Sequence, residues 1–169
     1  DQIDSAHQST SVDATNWQGA YDAVSYLISL GHQRIGFITG HLSLNSARER
    51  LDGYRAAFQH HRLPDDDTLI VEGDYSTQNG YIAAKHLLAL NPAPTAIFAA
   101  NDLTAFGVYD AVIEAGLHIP DQMSVIGFDD VPLASLVYPK LTTIRQPLVQ
   151  IGRVAVRLLL ERLEDPEKE

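Results

Sequence analysis

Four short runs of almost unbroken apolar residues punctuate the chain: RIGFIT at Arg34–Thr39, TLIV at Thr68–Val71, TAIFAA at Thr95–Ala100 and MSVIGF at Met123–Phe128. A strand with one face in water alternates apolar and polar residues, so runs that do not alternate suit strands covered on both faces. Between them the spacing changes to that of helices. Ala20, Val24, Leu27 and Ile28 stand at i, i+4, i+7 and i+8, and Gly31 supplies a left-handed stop. Leu51, Tyr54 and Phe58 repeat the pattern until Pro64 forbids continuation. Ser76 reads as the N-cap of a third helix that carries Ala84, Leu87 and Leu88 and ends before Pro92. Ala105, Val108, Val112 and Ala115 stripe a fourth, closed by Gly116 and Pro120, and a fifth spans Leu148 to Leu163 with Leu148, Ile151, Ala155 and Leu158 on one side. Strands alternating with such helices imply right-handed crossovers. The expected fold is α/β, an open doubly wound parallel sheet with helices on both faces.

Composition narrows the function classes. A chain of 169 residues, 45% hydrophobic and 20% charged, is the size and character of one soluble domain. There is no cysteine, so thiol catalysis, disulfide scaffolds and Cys-based zinc sites are excluded. No apolar run approaches the length of a membrane span, and the polar start DQIDSAHQST is not a signal peptide. The acidic tail EDPEKE reads as a frayed end. A net charge of −10 opposes the phosphate contacts that supply non-specific nucleic-acid affinity, so this segment is a poor direct DNA binder.

Ligands of an open parallel sheet bind beyond the carboxyl ends of its strands, where successive loops converge. After the first run stand Asn45, Ser46 and Arg50; after the second, Asp74 and Tyr75; after the third, Asn101 and Asp102; after the fourth, Asp129 and Asp130. That set suits a polyhydroxylated ligand, since a carboxylate accepts from neighbouring hydroxyls, a guanidinium donates as a fork and an aromatic face covers a sugar ring. Asp and Asn after a strand are equally the commonest helix N-caps. In each adjacent pair, therefore, one residue is expected to face the cleft while the other caps. Arg50 alone could be a solvated helix residue beside Arg48 and Glu49, and Tyr75 alone could be packing. Hydrolase, P-loop and dinucleotide-binding motifs are missing and the seven histidines are scattered, so no catalysis, metal or cofactor is expected.

The segments NWQGAYDAVSYLISLGHQRIGFITG, SARERLDGYRAAF, PTAIFAANDLTAFGVYDAVIEAGLHIPDQMSVIGFDDVPLAS and YPKLTTIRQP, in that order and spacing, resemble the effector-binding core of LacI/GalR-family transcriptional regulators from about Val12 to Leu163. The resemblance implies the periplasmic-binding-protein-like fold, with residues 1–141 forming an effector-binding core that is mostly the second, C-terminal lobe. By the same resemblance, residues 142–169 are a crossover strand and a helix of the largely missing first lobe, so the apolar face with Leu148, Ile151 and Leu158 lacks its partner. The DNA-binding headpiece is absent from this chain. The resemblance also implies that Arg50 clamps sugar hydroxyls, that Asn101 and Asp129 hydrogen-bond ligand, and that Tyr75 walls the cleft; Asn45 and Ser46 join these ligand candidates from the loop after the first run. Leu44 stands where purine-responsive relatives carry a basic residue, which argues against a nucleobase. Phe106 and the segment Leu133 to Val137, with Leu136, resemble a dimer-facing surface. The expected protein is a cytoplasmic homodimeric regulator without membrane contact. A small-molecule effector, with sugar favoured, drives lobe closure and alters operator affinity. The alternative is an extracytoplasmic sugar-binding receptor of an ABC transporter, which shares fold and cleft.

Overall fold

The computed structural model describes Val12 and residues 14–164, so the polar N-terminal stretch and the acidic tail beyond Glu164 lie outside the described residues. Among the described residues five α-helices and five strands follow one another, alternating as far as β4: α1 (Asn16–Ser29), β1 (Ile35–Ile38), α2 (Asn45–His60), β2 (Ile70–Val71), α3 (Thr77–Leu88), β3 (Ala96–Ala99), α4 (Asp102–Glu114), β4 (Ser124–Asp129), β5 (Thr142–Arg145) and α5 (Leu148–Glu164). All strand pairs are parallel, in the order β2-β1-β3-β4-β5. The expected α/β doubly wound architecture is therefore the observed one.

The unbroken apolar runs resolve into two faces. Ile35, Phe37, Ala96, Phe98, Ala100, Ile126 and Phe128 pack with α1 and α2, whereas Ile38, Ile97, Ala99 and Val125 pack with α3 and α4. Successive residues of one strand thus feed opposite layers, and no position is left for a polar side chain. Helix stops follow the glycines: Gly31 has φ +97° and Gly116 φ +71°.

Two strands differ from the hydrophobic pattern. β2 keeps only Ile70 and Val71, because Asp66 accepts from the Thr68 N–H at 3.0 Å and winds Asp67–Leu69 into a 3-10 turn. β5 is an edge strand whose ends, Thr142 and Arg145, are exposed, so it never forms an apolar run. α5 follows with no buried residue: Leu148, Val149, Leu160 and Leu163 are 60%, 72%, 54% and 71% exposed.

α3 and α4 touch backbone to backbone. A Cβ on Gly107 would strike the Thr77 carbonyl and the Tyr81 nitrogen, and one on Gly80 would strike the Thr104 carbonyl. No rotamer change relieves a clash with backbone, so Gly107→Ala is expected to destabilise by about 2 kcal/mol despite the gain in helix propensity. Gly152→Ala, on α5 with nothing near its Cβ, is expected to be neutral or stabilising by up to about 1 kcal/mol. Urea midpoints of the two variants check this difference in sign.

Candidate functional site

Strand order reverses between β1 and β3, whose register pairs Ile38 with Ala99 so that both strands end side by side. The Ala100 N–H continues the ladder to the Ile38 carbonyl at 2.9 Å. A crevice at such a switch point is where an open α/β sheet holds its ligand. The loops after β1, β2, β3 and β4 meet there.

Arg50 reaches this point from α2 and is 5% exposed. Its Nε and Nη2 donate to Asn16 Oδ1 at 3.1 and 2.9 Å, and its Nη1 donates to the Ala100 carbonyl at the end of β3. The guanidinium carbon lies 3.8 Å from the centroid of the Phe128 ring. A solvated Arg50 is therefore ruled out, while Arg48 and Glu49 are exposed as expected. Glu49 accepts from the Asn16 amide at 3.0 Å, which fixes the oxygen that Asn16 turns to Arg50.

Asn101 is the N-cap of α4, accepting from the Thr104 N–H at 2.9 Å, and its amide donates to the Tyr75 carbonyl at 3.2 Å. Tyr75 itself has φ +68°, a backbone region that L side chains rarely adopt. Its ring covers Gly40, where a Cβ would overlap ring atoms, and its hydroxyl lies 3.4 Å from Ser46 Oγ. Asn45 opens α2 and accepts from Arg48, which also donates to the carbonyls of Leu42 and Ser43 at 2.8 and 2.9 Å. Ser76 caps α3 as expected, accepting from the Asn79 N–H at 3.1 Å. Asp74 accepts from the Ser76 N–H and hydroxyl, and these bonds hold its carboxyl below the usual range.

The rule of one cap and one cleft residue per pair fails in two places. Asp102 faces no cleft: it is fully buried, accepting from the Val131 N–H at 2.8 Å and the Thr143 hydroxyl at 2.5 Å. It fits because Gly127 carries no Cβ to collide with its Oδ1. Neither Asp129 nor Asp130 caps anything, since the 3-10 turn Pro132–Ser135 that follows has no side-chain cap. Asp129 instead accepts from the Gln146 amide at 2.5 Å, and Asp130 pairs with Arg145. Both acids have positive φ, +119° and +60°. Asn16, Phe128, Thr143 and Gln146 thus support the rim although residue type alone did not single them out, whereas Asp102 was singled out and serves inside the fold. Gln146 was visible only as a letter in the LTTIRQP segment.

Burial pushes the Asp102 carboxyl up, against the bonds from Thr143 and Val131, and the charge of Asp129 adds to the rise. Burial likewise raises Asp129, opposed by Gln146 and by the positive charge of Arg50. The sensitivity of Asp129 to Arg50 places the two charges in one local field. Because both folded values lie above the unfolded ones, the contribution of these acids to stability is fullest below the ordinary carboxylate range. It is lost as pH rises through the raised values.

Comparison with known proteins agrees with the fold. Residues 24–169 match the family described as periplasmic binding protein-like domain. The HTH-type transcriptional repressor PurR of Vibrio atlanticus is 38% identical over 152 residues, covering 90% of this chain and 46% of the relative. The ribose operon repressor of Escherichia coli K12 is 44% identical over 144 residues, covering 85% and 44%. A LacI-family regulator from Enterococcus faecium, solved with bound ribose, superposes with a TM-score of 0.82 at 36% identity, covering 92% of this chain and 57% of that one. The chain spans about half the length of the curated relatives it matches. With a matched family model over most of its length and repressors among its relatives, the chain belongs to the periplasmic binding protein-like domain family, in the form carried by LacI-family transcriptional regulators.

Proposed function

We propose that this chain is the larger part of the second lobe of an effector-sensing unit in a LacI-type transcriptional regulator, and that its effector is a sugar. The observation that carries the reading is the gathering of Arg50 from α2, Tyr75 from the loop after β2, Asn101 from the start of α4 and Asp129 from the end of β4 at one switch point. Guanidinium, carboxylate, amide and aromatic ring together match a ring of hydroxyls better than an apolar or purely anionic ligand. Asn45 and Ser46 extend the same wall from the start of α2.

The mechanism follows from having half a cleft. A ligand held by this wall is enclosed by an opposing lobe, and closure turns the α5 side of the molecule relative to the rim. Operator and effector affinities are then coupled reciprocally. The uncovered α5 supports its assignment to the opposing lobe. Leu133 and Leu136, 46% and 76% exposed, with the half-buried Phe106 and Val137, offer apolar surface for a second copy. DNA contact would come from a headpiece outside this chain, in keeping with the net charge of −10. The repressor names of the matched relatives favour the regulator, and with it a cytoplasmic site of action, over a transport receptor.

Among effectors, ribose is bound in the Enterococcus faecium structure, and the ribose operon repressor is the more identical of the two relatives reported. The apolar, half-buried Leu44 at the start of α2 points the same way. A thermal-shift panel of pentoses, hexoses, disaccharides, nucleosides and purine bases on the full-length protein tests the reading. A true effector at a hundred times its Kd adds about 2.7 kcal/mol of stability. A shift with sugars is expected; a shift with purine bases alone would overturn the sugar assignment.

A further inference from the structure

We propose that Gln146 is the positioning residue of the rim: from the crossover between β5 and α5 its side-chain amide orients the Asp129 carboxylate and ties that carboxylate to the segment leading into α5. The two residues are joined twice, by Gln146 Nε2 donating to Asp129 Oδ1 at 2.5 Å and by the Gln146 N–H directed at the Asp129 carbonyl at 3.4 Å. β4 reaches its last register pair, Asp129 with Arg145, on a backbone of positive φ. Sheet geometry therefore does not set the direction of the Asp129 side chain, and Gln146 supplies what the strand cannot. The neighbouring acid is taken out of competition: Asp130 pairs with Arg145, and its N–H donates to Thr143 Oγ1 at 3.3 Å.

The amide is suited to the task by being a neutral donor. It fixes one carboxylate oxygen and favours the anion without cancelling the charge a ligand hydroxyl needs. A lysine or arginine there would neutralise that charge and occupy both oxygens. The charge acting on Asp129 is that of Arg50 from α2, which favours its ionised form; Asp102 from α4 stands close enough for the Asp129 charge to raise it, with Asp130 and Arg145 alongside. Gln146 is thus one of two groups that hold Asp129 ready to accept, and it is the one on the chain segment that leads to the other lobe. The role assigned to Asp129 here rests on the sugar-sensing reading, but the bond can be tested without a ligand.

Carbon-detected titration of the Asp129 carboxyl in the full chain is the test, with Gln146→Leu removing the donor at similar volume and Gln146→Glu replacing it by a like charge. The Asp129 midpoint is expected to move to higher pH in Gln146→Leu and further in Gln146→Glu, with the Asp102 midpoint nearly unchanged in Gln146→Leu. An Asp129 midpoint that is the same in wild type and both variants overturns the proposal, as does a shift of Asp102 as large as that of Asp129, which would mark a general loosening. Repeating the titration in millimolar D-ribose separates the two readings. Ribose is expected to lower the wild-type midpoint, and to lower it less in Gln146→Leu. A wild-type midpoint indifferent to ribose counts against ribose as effector, while the ligand-free shifts still decide the role of Gln146.

Discussion

A regulator carrying Asp129→Ala is expected to bind its operator as tightly as the parent and to stop responding to effector. The carboxylate stands half-buried at the end of β4, with Gln146 on one oxygen and the charge of Arg50 nearby. Hydrogen bonds to a charged acceptor contribute about 1.5–3 kcal/mol each. Losing two such bonds from ligand hydroxyls removes about 3 kcal/mol or more, roughly a hundredfold in affinity. Alanine also inherits φ +119°, a conformation in which it has no side-chain hydrogen bond to hold it, so part of the loss could come from the backbone. Asp129→Asn separates the two effects. It keeps a polar side chain and abolishes the charge, and about a tenfold loss is expected, since a neutral acceptor forms the weaker bond. Calorimetry with the effector, together with operator binding by anisotropy in its presence and absence, reads both quantities. Equal induction by Asp129→Ala and wild type would remove Asp129 from the site.

The same residue shows where sequence reading stops. β1, β3 and β4 were legible because a strand buried on both faces must be apolar throughout, and Gly31 and Gly116 marked their helix ends through a conformation other residues avoid. β5 was not legible as a strand from its pattern, because an exposed edge carrying Thr142 and Arg145 places no demand on hydrophobicity. Everything that depends on β5 was hidden with it. A local rule assigns an acid after a strand to a helix cap, yet Pro132 opens only a short turn, and the partners of Asp129 and Asp130 arrive from the end of β5 and the residue after it. Asp102 was misread for the same reason, since its partners Val131 and Thr143 lie 29 and 41 residues away. Ser76 and the burial-prone face of α2 obey rules that span a few residues, and there the expectations agreed with the structure, while the cap in the Asn101–Asp102 pair, which the sequence left open between the two, falls to Asn101. The convergence of the four loops was predictable from topology; the wiring among them was not.

Arg50→Met is expected to cost the fold about 3 kcal/mol and to remove effector binding as well. Methionine fills most of the space over Phe128 and keeps a favourable sulfur–aromatic contact, so little of the loss is a cavity. What disappears is the fork. Arg50 bridges three elements at this end of the sheet, namely α1 through Asn16, β3 through the Ala100 carbonyl and β4 through the face of Phe128. Deprived of a charged donor, the buried Ala100 carbonyl and the Asn16 oxygen each carry a penalty of about 1–3 kcal/mol, and the cation–aromatic contact is worth up to about 2 kcal/mol where water is excluded. Arg50→Lys retains a charge and donors that cannot span Asn16 and Ala100 in fork geometry, so it should recover less than half of the stability and little of the binding. The Asp129 midpoint should rise in Arg50→Met as it does in Gln146→Leu, because both groups oppose the effect of burial on that carboxyl. The two variants differ in stability: Gln146 lies on a half-buried crossover and Arg50 inside the α1, β3 and β4 junction. A urea midpoint unchanged by Arg50→Met would mean that the three elements are held together by packing alone and that the guanidinium is carried solely for ligand.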